Sequence, residues 1–349
     1  MDTIEVKLML GIKDIVEIDN VKKYFNNLKS YNGFTYCDVK EVVEGGNFLI
    51  KISYPRFFKG INAYLITKES ECLDVHEHFC NRVKSKFGDN IELELTRVDI
   101  PYTYRMKGYS LRPYEHIFKI FALVYSKKYP NSSTKGIIEL KTDEKETLTF
   151  ADTKCPSAYN HRLMIYNQYE NIFRKTSSEK EFKEILIEYP DLSYRMRCEV
   201  SKRIDRNSFS LEAFKKFNIL REYYYQYKKY IFKNFLDFTE IDKIYEEAAE
   251  KLAEKLKEER EKVSCGINYK LFIIENKKDI YDYKILKMAL KKVIGNLKTQ
   301  EGAITRTRKI MEICEMAWGI NLMDTYECML EMKEEFEKME IEKIENKNI

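Results

Sequence analysis

His161-Arg-Leu-Met-Ile-Tyr166-Asn-Gln-Tyr169-Glu170 is an apolar run that ends in a tyrosine and a carboxylate. Its companion, Tyr194-Arg-Met-Arg197-Cys-Glu199-Val-Ser-Lys202-Arg203, alternates strictly. As a strand it sends Met196, Cys198 and Val200 one way and Arg195, Arg197 and Glu199 the other. A strand that buries one face and lines the opposite one with Arg and Glu is either a solvated ion-pair surface or a site.

A third segment favours the site. Ile91-Glu-Leu-Glu-Leu-Thr-Arg97-Val-Asp99 also alternates, and counted in twos Asp99 shares a face with Leu93 and Leu95. A carboxylate there is costly to bury unless a cation or a metal meets it. Three strands are thus expected to bring Asp99, Tyr166 and Glu199 to one place.

Outward from these strands the chain reads as α+β, mainly an antiparallel sheet with flanking helices followed by an all-α C-terminal half. Ile4, Val6, Leu8 and Leu10 alternate as a first strand, followed by a short helix near Val21 to Leu28. Gly45-Gly46-Asn47 separates two β-rich runs as a hairpin turn. Helices are expected from Ser70 to Phe87 and from His116 to Lys127, with Pro113 near the start of the latter. Two short strands flank a turn at Asp143 to Lys145. After Asp205 helical spacing takes over, with helices expected from Ser210 to Phe235, Thr239 to Lys262, Asp279 to Ile294 and Thr305 to Lys338. We therefore expect two domains, 1–208 and 209–349.

Composition sets limits. The eight cysteines are scattered without a C-x-x-C pair, which argues against a zinc ribbon and a disulfide framework. No apolar run nears the roughly 18 residues of a membrane span, and the N-terminus reads as a strand without a signal region, so no membrane and a cytosolic location are expected. Net charge is only +4, but it is uneven: Ser193 to Asn234 holds eleven Lys or Arg against four Asp or Glu, while Ile320 to Ile349 holds four against nine. A basic middle and an acidic tail suit a centrally bound polyanion.

The other motifs carry competing readings. His76-Glu-His78 suggests a metal pair, but on a helix residues two apart diverge, and packing is the simpler account. Tyr223-Tyr-Tyr-Gln-Tyr-Lys228-Lys229-Tyr230 interleaves aromatics with lysines, as single-stranded DNA binding needs, yet Tyr223, Tyr227 and Tyr230 also have the spacing of a packed helix face. Thr305 to Met332 outlines a helix-turn-helix that most helical hairpins share. Tyr166 is a nucleophile only if something helps its phenol, with a reference pKa near 10, to lose a proton. Asp99 and Glu199, with Glu170 as a third ligand, suit Mg²⁺ or Mn²⁺.

Read together, several segments resemble the gene II/X family of filamentous-phage and plasmid rolling-circle replication initiators. They are Met1-Asp-Thr-Ile-Glu-Val-Lys-Leu, Ile50-Lys-Ile-Ser-Tyr-Pro55-Arg-Phe-Phe-Lys-Gly60-Ile-Asn62, Thr96-Arg97-Val-Asp99, His161-Arg-Leu-Met-Ile-Tyr166, Tyr189-Pro-Asp191-Leu192 and Arg197-Cys-Glu199-Val-Ser-Lys202-Arg203. Order and spacing hold over residues 1 to about 206.

The resemblance implies a sequence-specific DNA endonuclease and strand transferase, working at a phage or plasmid origin in a bacterial cytoplasm. It makes Tyr166 the nucleophile of a covalent phosphotyrosine intermediate, Arg97 and Arg197 catalytic, and Asp99 and Glu199 holders of Mg²⁺ or Mn²⁺. Lys202 and Arg203 would meet the DNA backbone nearby, and the charge and aromatic content of the helical half give Lys228 and Lys229 the same part. Single- and double-stranded origin DNA and a host helicase and polymerase are the implied partners. The alternative is a non-catalytic DNA-binding replication or partition protein whose acidic cluster is structural.

Overall fold

The computed structural model describes residues 1–106, 108–109, 113–130, 136–139, 147–153, 159–262 and 266–344, so the turn expected at Asp143 to Lys145 lies outside the described residues. The chain opens with strand β1 (Thr3–Met9), helix α1 (Ile15–Asn26), strands β2 (Cys37–Val43) and β3 (Asn47–Ser53), a short helix α2 (Tyr54–Lys59), helix α3 (Glu69–Phe87) and strand β4 (Glu92–Arg105). These strands lie in the order β2-β3-β1-β4, and β2–β3, β3–β1 and β1–β4 all pair antiparallel. This is a split βαβ arrangement. It then continues into a second set of strands.

Helix α4 (Tyr114–Lys128) is followed by the antiparallel meander β5 (Gly136–Glu139), β6 (Thr147–Ala151) and β7 (His161–Asn167). Helices α5 (Gln168–Phe173) and α6 (Glu179–Glu188) and a 3-10 turn at Leu192–Tyr194 lead into β8 (Arg195–Ser210), which pairs antiparallel with β7 and sits beside β4. One eight-stranded sheet results, with β4 and β8 at its middle. The α+β class expected from the sequence is the one found.

The hairpin turn shows why glycine is required there. Gly45 and Gly46 both have positive φ, and a Cβ on Gly46 would lie 1.9 Å from the Ile12 carbonyl oxygen. Any larger residue would displace the Ile12–Gly46 backbone contact that closes the loop after β1.

The expectation for Asp99 needs correction. In β1–β4 the pairing runs Leu8↔Leu93 and Val6↔Leu95, then shifts to Glu5↔Arg97, Ile4↔Val98 and Thr3↔Asp99. Thr96 is the extra residue of a β-bulge, with its hydroxyl on the Glu5 carbonyl. A single extra residue reverses the parity of everything beyond it. Asp99 therefore stands on the face of Glu5 and Arg97, opposite Leu93 and Leu95. The apolar face keeps Ile4, Val6, Leu8, Leu93, Leu95 and Val98, all fully buried.

Helix α3 buries Cys72, Val75, His76, Phe79, Cys80 and Val83, the i, i+3, i+4 stripe of a core-facing helix. His76 and His78 are both buried but go to different partners: His76 to the Tyr54 hydroxyl and the Phe214 ring, His78 Nδ1 to the Tyr36 hydroxyl at 2.9 Å. Burial pushes the His76 imidazole down to about 3, so it packs as a neutral ring. The packing account of His76-Glu-His78 holds.

The chain forms two compact units interleaved in sequence. One comprises Met1–Tyr104, Ser133–Lys229 and Lys338–Ile349, the other Arg105–Ser132 and Tyr230–Glu337. Helix α4 thus belongs with the later helices, whereas residues 209–229 belong with the sheet. The helix expected from Ser210 to Phe235 is two, α7 (Leu211–Lys216) and α8 (Ile219–Asn234), because Asn218 accepts the Arg221 N–H and starts a new helix.

The second unit is built from α4, α9 (Phe238–Lys262), α10 (Tyr269–Glu275), α11 (Tyr283–Val293), α12 (Leu297–Trp318) and most of α13 (Thr325–Lys338). Gly319, at positive φ, ends α12 and α13 follows from Thr325, the two-helix outline read from Thr305 to Met332, with the first helix starting earlier, at Leu297. No helix among the described residues is long and apolar enough to cross a membrane.

Asp282 ties this unit together. Fully buried, it caps α11 through the Lys284 N–H at 2.8 Å, accepts the Tyr326 N–H of α13 at 2.9 Å and takes the Tyr245 hydroxyl of α9 at 2.9 Å. Burial pushes its carboxyl up to about 7 against the pull of those three donors. Asp282→Ala removes a helix cap and leaves buried donors unmet, so it is expected to cost about 2–3 kcal/mol. A urea melt of the intact chain checks this, and an unchanged midpoint would remove Asp282 from the account of this unit.

Candidate active site

The polar face of the sheet gathers side chains from four neighbouring strands. β1 supplies Glu5, β4 supplies Arg97 and Asp99, β8 supplies Arg197 and Glu199, and β7 supplies Tyr166, which pairs directly with Arg197. Asp2 joins from just before β1. Beside Asn62 lies a small core of Ala63, Ile172, Phe182, Ile185 and Leu192, with Tyr169 packed against it. The loop after α2 and helices α5 and α6 are thereby held near Asn62.

The cluster is buried and almost closed. The Tyr166 hydroxyl donates to Glu199 Oε2 at 3.1 Å. Arg97 forks between Glu5, at 2.7 Å, and Asp99, at 3.0 Å. Arg197, only 1% exposed, donates to the Asn62 carbonyl at 2.9 Å and forms an ion pair of 3.8 Å with Asp2. Asn62 returns a hydrogen bond to Asp2 Oδ2 at 3.0 Å, and Gln168 also donates to the Asn62 carbonyl, at 2.9 Å. Asn62 is thus the hinge pin between β1, β8 and α5.

Four carboxylates, Asp2, Glu5, Asp99 and Glu199, face two guanidiniums. Burial, then the neighbouring Asp2 and Asp99, pushes Glu199 up to about 8. Asp2 goes the other way: burial opposes its charge, but Arg197 and the hydrogen bonds from Glu199 and Asn62 hold it below the ordinary carboxylate range. At neutral pH one proton therefore sits in the pair, mainly on Glu199. The Tyr166 phenol is pushed well above its usual value by burial and by Glu199, with Arg197 pulling back. Arg97 is held still more firmly cationic, since Asp99 and Glu5 outweigh its burial.

Oxygen donors are what the cluster offers a metal. Asp2 Oδ1 and Asp99 Oδ1 are buried without a hydrogen-bond partner, and a dication would balance the excess of carboxylates over guanidiniums. Hard Mg²⁺ or Mn²⁺ fits this chemistry. The side chains as placed do not yet converge: among the described residues no three His, Cys, Asp or Glu side chains surround a common point.

Of the residues expected from the sequence, Tyr166, Arg97, Asp99, Arg197 and Glu199 come together. Glu170 lies half-buried in the first turn of α5 and, among the described residues, makes no hydrogen bond or ion pair to them. Lys202 pairs with His161 on the opposite face from Glu199, while Arg203 is exposed on the same face. Lys228 is buried with its ammonium 2.8 Å from the Met339 carbonyl, which leaves Lys229 as the exposed member of that pair. Tyr223 and Tyr227 are buried as well, as helix packing requires.

The sequence reading missed Asp2, Glu5 and Asn62. Glu5 carried a signal, since it alternates with Ile4 and Val6 and so had to face the polar side; Asp2 and Asn62 carried none that spacing reveals. Compared with family models, curated proteins and solved structures, the chain finds no match.

Proposed function

We propose that the chain nicks and rejoins DNA at a phage or plasmid origin, through a covalent link to Tyr166, to start rolling-circle replication. The observation that supports this best is the Tyr166 hydroxyl on the Glu199 carboxylate, inside a cluster rich in unneutralised oxygen donors. The Tyr166 oxygen would attack phosphorus, forming the O–P bond as the bond to the 3′ oxygen breaks. Its proton would pass to Glu199 in the molecules where that carboxyl is ionised, a fraction that grows toward pH 8, and then to the departing 3′ oxygen, leaving a 3′ hydroxyl for a polymerase. Arg97 and Arg197 would hold the carboxylates in place and meet the phosphoryl charge. Mg²⁺ or Mn²⁺, held by Asp99 and Glu199, would polarise the phosphodiester.

The burial of Tyr166, 5% exposed, favours the other reading, in which a DNA-binding replication or partition protein uses the cluster as a structural ion network. Supercoiled origin DNA incubated with the protein and Mg²⁺ separates the two. Nicked circles carrying protein at one end support the enzyme; intact circles with bound protein support the alternative.

The metal has its own readout. Mg²⁺ or Mn²⁺ at about 100 times its Kd is expected to add about 2.7 kcal/mol of stability to the folded chain. Thermal melts with metal and with chelator measure it, and Asp99→Asn should lose most of the gain. Melts that coincide, together with nicking that survives thorough chelation, would take the metal away from Asp99 and Glu199.

A further inference from the structure

The polar face does not end at the carboxylates. Beyond Glu199 the same side of β8 carries Ser201 and Arg203, and across from Ser201 on β7 stands Arg162. Both guanidiniums close on one ring: Arg162 lies 4.5 Å and Arg203 5.5 Å from the centroid of Tyr159, which is buried. Each distance is within the range of a cation–π contact.

Two cations drawn to one ring repel each other, and around Arg162 the described residues supply little to offset its charge. Asp152, the adjacent carboxylate, is occupied by the backbone N–H groups of Asn160 and His161, at 2.9 Å each. Arg162 forms no ion pair among the described residues; its Nη2 reaches the Ser201 hydroxyl only at 3.4 Å, and its buried Nε has no hydrogen-bond partner. A guanidinium held over a ring still presents its N–H fork outward, which suits a phosphate.

The corner is continuous with the candidate active site. The Tyr159 phenol feels Arg97, Arg162, Asp99 and Glu5, so these groups share one electrostatic environment. Along β8, Arg203 is four residues from Glu199, about 13 Å at the rise of a strand. That is a span a short run of unpaired nucleotides covers.

We infer that Arg162, Tyr159 and Arg203 form a clamp for the sugar-phosphate backbone of single-stranded nucleic acid, holding it where it runs toward Glu199. The ligand is recognised by phosphate charge, so the clamp carries no base preference. This rests on the nicking reading for its purpose, but its test does not depend on cleavage.

The test is fluorescence anisotropy with a labelled oligothymidylate of about 15 nucleotides, in chelator, over a range of salt. Arg162→Gln with Arg203→Gln is expected to weaken binding at least several-fold and to lower the salt slope by about 1.4, since each single-strand phosphate contact is worth about 0.7. Lysine at both positions keeps the charge without the fork, and should keep the slope while losing affinity. Tyr159→Leu should likewise cost affinity and leave the slope. A double glutamine variant that melts like the wild type yet binds with its affinity and slope overturns the clamp. So does a blunt duplex that loses as much affinity as the single strand. If the slope falls but the wild type never forms a covalent adduct, the clamp stands and the nicking reading fails; adducts with an unmoved slope mean the reverse.

Discussion

Tyr166→Phe is expected to bind origin DNA and to form no covalent adduct with it, a loss on the order of 10⁴-fold or more in the attack step. The substitution removes one oxygen. It also removes the hydrogen bond to Glu199, at a cost of about 1 kcal/mol, while the ring keeps its place between β6 and β8. The variant should therefore fold, and its failure would be chemical. Denaturing gels of protein mixed with labelled, origin-bearing DNA measure the adduct directly. Tyr169 is the internal control, because it sits three residues on, in α5, with its ring edge-on to Phe182 at 4.9 Å. Adducts that persist in Tyr166→Phe and vanish in Tyr169→Phe would move the nucleophile there.

Why Tyr166, Arg197 and Glu199 were legible in the sequence, and Asp2 was not, follows from the range of the forces involved. Alternation is a local property: β7 and β8 bury Leu163, Ile165, Cys198 and Val200 on one side, so the polar partners on the other side follow without any knowledge of the fold. Asp2 joins Glu199 only because β1, β4 and β8 become neighbours, and strand order is a tertiary outcome. Asp99 shows the limit of counting in twos. It reached the site for a reason opposite to the one the spacing gave, because the bulge at Thr96 reversed the face it occupies.

The compact units do not divide at residue 208, for a similar reason. Composition changes from strand to helix there, but α7 and the start of α8 pack back on the sheet unit, where Phe214 stacks on His76 and the Tyr224 carbonyl accepts the Tyr102 hydroxyl. Helical spacing identifies a helix and its buried stripe; it does not say which core the stripe fills.

Glu199→Gln is expected to remove most of a pH-dependent loss of stability. A carboxyl at about 8 in the folded chain and 4.5 when unfolded binds its proton more tightly in the native state. Its contribution is complete below about pH 4.5 and is lost as pH rises through about 8, which amounts to on the order of 3–5 kcal/mol between pH 5 and 9. Asp2, whose folded value is lowered, acts on the other side: its contribution is present above the unfolded value and is lost as the medium becomes acid. The wild-type protein should thus be most stable in mildly acid solution and weaken toward pH 9. In Glu199→Gln the alkaline decline should flatten, since the amide has no proton to lose and still receives the Tyr166 hydroxyl. Urea melts at pH 6, 7.5 and 9, all in chelator, test this. If wild type and Glu199→Gln weaken in parallel from pH 6 to pH 9, the shared proton does not reside on Glu199. Mg²⁺ offers a second comparison at pH 9, because a dication favours the ionised carboxylate. It should restore the wild type more than the glutamine variant, and equal gains would place the ion elsewhere.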